Sequence, residues 1–243
     1  MGGIRRVRDP SPGPFEIGQV MTLPRPILRR LFLSGLLALV FCLPEAWGDE
    51  PPAPCAETFR KVLQATRGAA GVRAGFRHVL RSPSLNQNET EEGTLILAEG
   101  GRTRWEYTVP PGKLAVADGK RSVLYLPAER QAFVRRMDAG DAPVALRLLS
   151  GEGNLEAEVV CEGVERLGRL LILKLALKDT TSGVRNLEAA ADASTGRLNR
   201  VYFRDALGNE ITLELSGLEP LDRVDPSLFA FEPPPGTAVL QGP

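Results

Sequence analysis

The residues that could do chemistry are few in this chain. It contains one histidine, His78, and three cysteines, Cys42, Cys55 and Cys161. A histidine can act as a general base, and clusters of histidine and cysteine can bind zinc, but His78 has no cysteine nearby in the sequence. The chain also lacks the motifs GxSxG and HExxH. The sequence therefore predicts no catalytic residue, no metal site and no cofactor, and an exported hydrolase is the least favoured alternative.

His78 itself is more simply explained by packing. From Val72 the chain alternates apolar and basic residues, so His78 shares a face with Val72, Ala74, Phe76 and Leu80. On such a face a packed neutral imidazole is far commoner than a catalytic base.

The cysteines indicate a disulfide. Cys42 lies in an N-terminal apolar run that we expect to be removed, which leaves Cys55 and Cys161 in an oxidising compartment. An even pair in such a compartment favours one bond. The alternative is two unrelated buried thiols, because cysteines of one exported chain can lie far apart.

The N-terminus has the pattern of a secretory signal peptide. Arginines, among them Arg29 and Arg30, precede an apolar run over residues 31–43, and Pro44 and a small residue, Gly48, follow it. The run is shorter than the roughly 20 residues that a membrane-spanning helix needs. Both the Sec and the twin-arginine export routes remain open.

We therefore divide the chain at Gly48. Residues 1–48 are predicted to be an N-terminal extension and a cleaved signal peptide, with the true start at Met21, and residues 49–243 are predicted to form one domain. Removal of residues 1–48 takes six arginines and three acids from totals of 30 basic and 30 acidic residues, so the remaining net charge is about −3. Such a charge gives no electrostatic basis for binding nucleic acid.

The remaining residues read as strands with two short helices. The segments "CAETFRKVLQATRG" and "APVALRLLSG" have helical spacing, and Gly151 suits a C-terminal cap. About ten short strands account for the rest, with residues 72–137 forming a hairpin meander broken by a polar loop, "SPSLNQNETEE". The expected class is mainly β with short helices (α+β).

The number of strands exceeds what two short helices can cover. The strands "LILA" and "LLILKLAL" are moreover apolar on consecutive positions, which places apolar side chains on both faces. Two arrangements satisfy this pattern. Either two sheets pack as a sandwich, or one sheet curls into an incomplete barrel around the helices and leaves an apolar hollow.

Several landmarks together resemble the outer-membrane lipoprotein carrier (LolA) family over roughly residues 56–240. They are Gly93, Trp105, Pro110-Pro111, Ala117-Asp118-Gly119, Tyr125, Pro127, Gln131, Leu148–Gly151, Arg204, Gly208-Asn209 and the tail "FAFEPPPGTAV". The resemblance implies a single curved antiparallel sheet that forms an incomplete β-barrel with a helical lid over an apolar cavity.

The resemblance also implies a function. It predicts a monomeric periplasmic chaperone that binds the acyl chains of lipoproteins and ferries them from the inner to the outer membrane. The implied partners are acylated lipoproteins, an inner-membrane lipoprotein-releasing ABC transporter (LolCDE-like) and, if present, an outer-membrane acceptor (LolB-like). The alternative is a related half-barrel module that senses or carries other lipids or envelope ligands.

The phase of the strands and of the second helix predicts which side chains line the cavity. Ordinary core packing is the alternative for each of them. Tyr125 and the prolines of the tail are interpreted as structural. The predicted lining residues are Leu95, Leu97, Trp105, Tyr107, Leu114, Val116, Leu124, Val144, Leu146 and Leu149.

One departure from the family pattern concerns the lid. Where the family has a basic residue followed by proline, implicated in holding the lid shut, this chain reads Ala98-Glu99-Gly100. That latch cannot be assigned here. Arg102 and Arg104 lie close by on the opposite strand phase to Trp105 and are expected to be solvated.

Overall fold

In the computed structural model, residues 54–67, 69–138 and 142–242 are described. They all belong to one compact unit. The expected signal peptide, its cleavage near Gly48 and the start at Met21 lie outside these residues. Among the helices of the described ranges, none is long and apolar enough to cross a membrane.

The described residues contain twelve strands, and all of them join one sheet. The strands are β1 Gly71–Ser82, β2 Gln87–Ala98, β3 Arg102–Val109, β4 Leu114–Asp118, β5 Arg121–Leu126, β6 Gln131–Arg136, β7 Val159–Leu167, β8 Leu170–Leu177, β9 Arg185–Asp192, β10 Leu198–Arg204, β11 Glu210–Leu221 and β12 Ala238–Gln241.

The sheet is open. Its order is β12-β6-β5-β4-β3-β2-β1-β11-β10-β9-β8-β7, so β12 and β7 are its edges. A single unclosed sheet confirms the incomplete barrel and excludes the two-sheet sandwich. The strand pairing that joins segments far apart in sequence is that of β1 with β11. It places Phe76 opposite Leu215 and connects the two hairpin meanders.

One edge departs from the antiparallel expectation. β12 pairs parallel with β6, from Ala238 opposite Gln131 to Gln241 opposite Val134. The sequence analysis treated this segment as part of the tail. Four residues are too few to show a period, and the pairing partner lies more than a hundred residues away, so local pattern cannot reveal such a strand.

Three helices accompany the sheet, α1 Cys55–Thr66, α2 Val144–Ser150 and α3 Leu155–Glu158. The first two were predicted, and Gly151 does cap α2 in the left-handed conformation (φ 72°). α3 is a correction, because only two helices were predicted and the remaining segments, residues 155–158 included, were interpreted as strands and turns. Its Glu156, Ala157 and Glu158 are good helix formers, and one turn suffices to bury Leu155 before β7 starts.

β2 is longer than expected. It begins at Gln87, inside the segment predicted to be a polar loop, and pairs with β1 along its whole length down to Ser82 opposite Gln87. The first half of β2 is polar on both faces, so it lacks the apolar alternation by which strands are recognised. Pairing with β1 holds this segment as a strand, although its own sequence does not favour one.

The helices cover one face of the sheet, which we call the helix face. Here α1 and α2 pack on β1, β2 and β7 to β11, around side chains that are completely withdrawn from water, including Leu63, Leu148, Leu173 and Val201. α1 contacts β7, and α2 contacts β10. The main core therefore lies between the two helices and one half of the sheet.

The opposite face, the tail face, is covered by the chain after β11. Phe229, in the short 3₁₀ helix Pro226–Phe229, packs against Ile96, Ala98 and Val116. Tyr125 contacts Phe231 on the same face, with ring centroids 5.5 Å apart. The two-faced apolar pattern of "LILA" is thus explained, because Leu95 and Leu97 face the helices while Ile96 and Ala98 face the tail.

A disulfide joins Cys55 to Cys161, as expected. It links the first residue of α1 to β7, with the Cα atoms 5.5 Å apart and 106 residues between them in sequence. The bond therefore anchors α1 to the edge of the sheet that this helix covers.

Reduction of this bond should destabilise the fold. A closed loop of this length adds up to about 4–5 kcal/mol in the chain-entropy treatment, and measured values are often lower. Urea unfolding with and without reductant should show a fall in the free energy of unfolding, and the double variant Cys55→Ser/Cys161→Ser should be insensitive to reductant. Two free thiols at these positions in oxidised, unfolded protein would contradict the bond.

Candidate functional site

The helix face of β3 to β6 is not covered by the helices and forms an apolar depression. Register places Trp105 opposite Leu95 and Ala115, Ala115 opposite Leu124, and Leu124 opposite Phe133, so these side chains share one face. The depression has a volume of about 400 Å³. Trp105, Leu124 and Phe133 are only partly buried in it.

An aromatic cluster forms the boundary between this depression and the core. The ring of Phe76 meets Trp105 edge-to-face at 4.9 Å and Tyr107 at 5.1 Å. Gly93 makes this packing possible, because a Cβ there would lie 2.0 Å from the Glu106 carbonyl oxygen and 2.8 Å from the Phe76 ring. Any side chain at position 93 would displace the ring or the strand.

A second cavity, of about 570 Å³, lies beside α2 on the same face. Apolar side chains from Pro143, Val144, Leu177, Val184 and Phe203 line it. Both volumes lie within the range of small-molecule and lipid sites, about 300–1,000 Å³. The helix face therefore offers two apolar spaces, one beside α2 and one open.

An ion pair forms part of the wall of the second cavity. Arg147 of α2 donates two hydrogen bonds to the carboxylate of Glu158, at 2.9 and 2.6 Å. The hydrogen bond from Arg147 is the main reason why the pKa of Glu158 lies below its usual value. This pair connects α2 to the start of β7.

The loop after α2 is held from two sides. Arg67, at the end of α1, donates to the carbonyl oxygens of Gly151 (2.8 Å) and Gly153 (3.3 Å). The carboxylate of Glu152 accepts hydrogen bonds from the backbone N–H groups of Gly100 (2.5 Å) and Gly101 (3.2 Å). The loop therefore joins α1, α2 and the turn between β2 and β3.

The geometry of that turn suits an anion. Gly100 and Gly101 both have positive φ, 78° and 69°, which lets their consecutive N–H groups point at one carboxylate. This turn follows Ala98-Glu99, where the sequence resemblance implied a basic residue. Here the charge lies on the helix side, in Glu152, and the sheet contributes only backbone donors.

A polar cluster lies at the end of the open depression. The Glu91 carboxylate contacts His78 Nδ1 at 3.2 Å and the Lys113 ammonium, and Lys113 Nζ lies 4.4 Å from the centre of the Tyr107 ring. Burial, with the Glu91 charge as a second cause, raises the pKa of the Tyr107 hydroxyl, so Tyr107 remains protonated at neutral pH. His78 thus has an acidic neighbour that its strand pattern did not reveal. Within the described residues no group of three or more histidine, cysteine, aspartate or glutamate side chains could hold a metal ion.

The structure places the predicted lining residues at different locations. Trp105, Tyr107 and Leu124 line the open depression, and Val144 lines the cavity beside α2. Leu146 packs against β2 and β3 across a cleft of about 10 Å³, which has room for about one water molecule. Leu95, Leu97 and Leu149 are at most 3% exposed and belong to the core under the helices.

Val116 is among the residues that line the open depression, although it also packs on the tail face, whereas Leu114 lines none of these three spaces. Because Trp105 pairs with Ala115, the neighbouring positions 114 and 116 point to the tail face, where they pack in the Phe229 cluster. Sequence reasoning in turn missed Phe133 and Phe203. Phe133 could have been found by extending the hairpin register from Leu124, whereas nothing local to Phe203 shows that α2 lies beside it.

Arg102 and Arg104, which were expected to be solvated, are half-buried and contact the tail. Arg104 donates to the Leu228 carbonyl oxygen at 3.0 Å and pairs with Glu106. The guanidinium of Arg102 lies 5.3 Å from the centre of the Phe229 ring. Both arginines therefore fasten the tail to β3.

The family match and the sequence relatives of this chain agree with one another. Residues 67–232 match the sequence family described as Outer membrane lipoprotein carrier protein LolA. The outer-membrane lipoprotein carrier protein of Chromobacterium violaceum is 30% identical over 180 residues, which is 72% of this chain and 83% of the relative. That of Alcanivorax borkumensis is 26% identical over 217 residues, 88% of this chain and 99% of the relative.

Solved structures are similar at a lower level. A conserved protein from Thermus thermophilus has a TM-score of 0.48 at 16% identity and covers 76% of this chain and 98% of its own. A LolA superfamily protein from Nitrosomonas europaea has a TM-score of 0.41 at 11% identity and covers 74% of this chain and 99% of its own.

The difference between core and open surface can be tested with two matched leucines. Leu95→Ala removes a side chain that is 1% exposed and should lower the free energy of unfolding by about 2–5 kcal/mol. Leu124→Ala, on the open depression, should lower it by less than about 1.5 kcal/mol, because its side chain already meets solvent. Urea unfolding of both variants measures this, and equal losses would mean that the depression is part of the core.

Proposed function

Because the chain belongs to the outer-membrane lipoprotein carrier family LolA, we propose that it is a periplasmic chaperone that binds the acyl chains of lipoproteins and carries them from the inner to the outer membrane. Members of this family are carriers and not enzymes. The clients that the family implies are lipoproteins. A LolCDE-like transporter as donor, a LolB-like protein as acceptor, and a monomeric state belong to the proposal.

The apolar surface of the helix face supports this role. An acyl chain of about 15 methylene groups costs about 12 kcal/mol to expose to water, at about 0.8 kcal/mol for each group. A carrier must therefore offer it apolar surface. Trp105, Leu124 and Phe133 present such surface, and the cavity beside α2 offers more with Val144 and Phe203.

Entry of a chain between these spaces requires α2, the lid helix, to move. Leu146 now closes the cleft between α2 and the β2–β3 hairpin. The polar contacts that oppose such movement are Glu152 with Gly100 and Gly101, and Arg147 with Glu158. We assign Glu152 the role of a latch that holds the lid closed. Among these contacts, only that of Glu152 joins the loop after α2 to the β2–β3 turn.

A charge placed in the open depression should prevent cargo binding. The variants Trp105→Glu and Leu124→Glu would put a carboxylate where acyl chains lie, at a cost of several kcal/mol wherever the bound chain excludes water. The measurement is release of acylated lipoprotein from membrane vesicles, with circular dichroism to confirm folding.

The matched control for these variants is Leu167→Glu. Leu167 is 70% exposed and lies at the end of β7, away from the depression, so this variant should release cargo like the parent. Folded Trp105→Glu and Leu124→Glu proteins that release lipoprotein normally would refute the binding site. Mass spectrometry of co-purified ligand that finds only free lipids would favour the alternative role in carrying other lipids.

Weakening the latch should speed lid opening. Glu152→Ala removes both acceptors of the Gly100 and Gly101 hydrogen bonds, and a loss of about 0.5–1.5 kcal/mol corresponds to about two- to tenfold faster exchange of a bound fluorescent acyl chain. Glu156→Ala, which removes an exposed partner of Arg60, is the control. Unchanged exchange in Glu152→Ala would show that this contact does not limit opening.

A further inference from the structure

The polar cluster of His78, Glu91, Tyr107 and Lys113 is placed where an amphipathic ligand would need polar groups. Lys113 and Tyr107 line the same depression as Trp105 and Leu124. Lys113 and Ala115 are two residues apart in the chain and face the same depression, so about 7 Å separates the polar end from the apolar floor. A ligand whose chains lie on Leu124 and Phe133 would hold its head group near Lys113.

A second charged pair, on β1 and β2, serves as an internal comparison. Arg77 and Glu92, on the tail face, are 51% and 48% exposed. Glu91 and Lys113, on the helix face, are only 19% and 18% exposed. The Arg77–Glu92 pair is thus solvated, whereas the Glu91–Lys113 pair is half-buried, with Lys113 over the Tyr107 ring in the open depression.

Stability does not explain the withdrawn pair. Taking two charges out of water costs about as much as their attraction returns, and apolar replacements of similar volume are often neutral or stabilising. The register of β1, β2 and β3 is already set by backbone pairing and by buried apolar residues such as Leu95 and Leu97. Binding of a polar ligand would explain why the Glu91–Lys113 pair is withdrawn from water, whereas folding does not.

From these observations we propose that the His78, Glu91, Tyr107 and Lys113 cluster is a subsite for the uncharged, ester- and amide-bearing head group of the acylated ligand. This inference rests on the proposed function, since it assumes that acyl chains occupy the adjoining depression. Lys113 and the Tyr107 hydroxyl donate hydrogen bonds to carbonyl oxygens of the head group, and Glu91 orients Lys113.

The balance of charge gives this subsite its selectivity. Lys113 and Glu91 cancel each other, so an uncharged head group meets donors without an opposing net charge. A carboxylate head, as in a free fatty acid, would be attracted by Lys113 but repelled by Glu91 at close range. The cluster therefore favours an acylated peptide over a fatty acid that carries the same chain.

The test compares two probes, a synthetic triacylated cysteinyl peptide and palmitate, by titration into the purified protein at neutral pH. Tyr107→Phe removes one hydroxyl and keeps the ring that packs on Phe76, so it should fold and bind the lipopeptide about two- to tenfold more weakly. Lys113→Met should weaken lipopeptide binding about three- to thirtyfold. Tyr107→Phe should reduce palmitate binding less, whereas Lys113→Met should also weaken palmitate binding because it leaves the Glu91 charge unopposed.

Glu91→Gln provides a prediction of opposite sign. It leaves the Lys113 charge without its counter-ion, so palmitate should bind more tightly while the lipopeptide gains nothing. The matched control is Glu92→Gln, on the tail face of the same strand, which should leave both affinities unchanged. Circular dichroism and urea unfolding confirm that each variant is folded.

The outcomes separate the subsite from the function on which it rests. If the parent binds the lipopeptide and the Tyr107→Phe and Lys113→Met variants bind it equally well, the subsite is wrong and the carrier function stands. If Tyr107→Phe loses affinity for both probes by the same factor, the cluster shapes the depression and does not recognise the head group. If the parent binds neither probe, both the function and the subsite are overturned.

Discussion

Four consecutive apolar residues at the end of β2, Leu95 to Ala98, must leave water on both faces of the sheet, and the rest of the structure follows from this demand. Burial of each large side chain among them contributes about 1.5–3 kcal/mol. α1 and α2 cover Leu95 and Leu97, and the segment around Phe229 covers Ile96 and Ala98. In the described residues, α3 contacts β7 and the 3₁₀ helix at Phe229 packs on the tail face, so the helix face of β3 to β6 is left without a helix over it. The tail packs on the other face of these strands, so the apolar depression remains open on the helix side.

Much of this architecture was predictable because it is encoded locally. Period-two alternation and tight turns gave the hairpins, and a leucine-rich amphipathic segment gave α2. The pairing of β1 with β11 and of β12 with β6 was not predictable, because each joins segments that are far apart in sequence. The class of fold was therefore accessible, whereas the order of the sheet was not.

Leu114 shows why the site could not be predicted residue by residue. Both larger apolar residues of β4 were assigned to the depression, but Leu114 packs only in the Phe229 cluster, and the depression is lined by the small Ala115 and Ala117 together with Val116. The face that each residue takes depends on register across the β3–β4 turn and on a tail more than a hundred residues later. The Glu152 contact was hidden for a related reason. Its partners on the sheet are backbone N–H groups, which leave no trace in the sequence except the pair Gly100-Gly101.

The exposure of the open depression to solvent also limits how tightly a carrier can bind an acyl chain. Complete burial of one acyl chain, at about 12 kcal/mol, would already correspond to nanomolar affinity, and several chains together would bind almost irreversibly. A surface that leaves part of each chain in contact with water reduces this driving force, and a lid held by only a few hydrogen bonds keeps the barrier to release low. Apolar contact is non-directional and cannot distinguish one acylated molecule from another. Recognition in such a site must come from the few polar groups at its end, because there a mismatched head group leaves charges unpaired, and this costs more than a lost methylene contact.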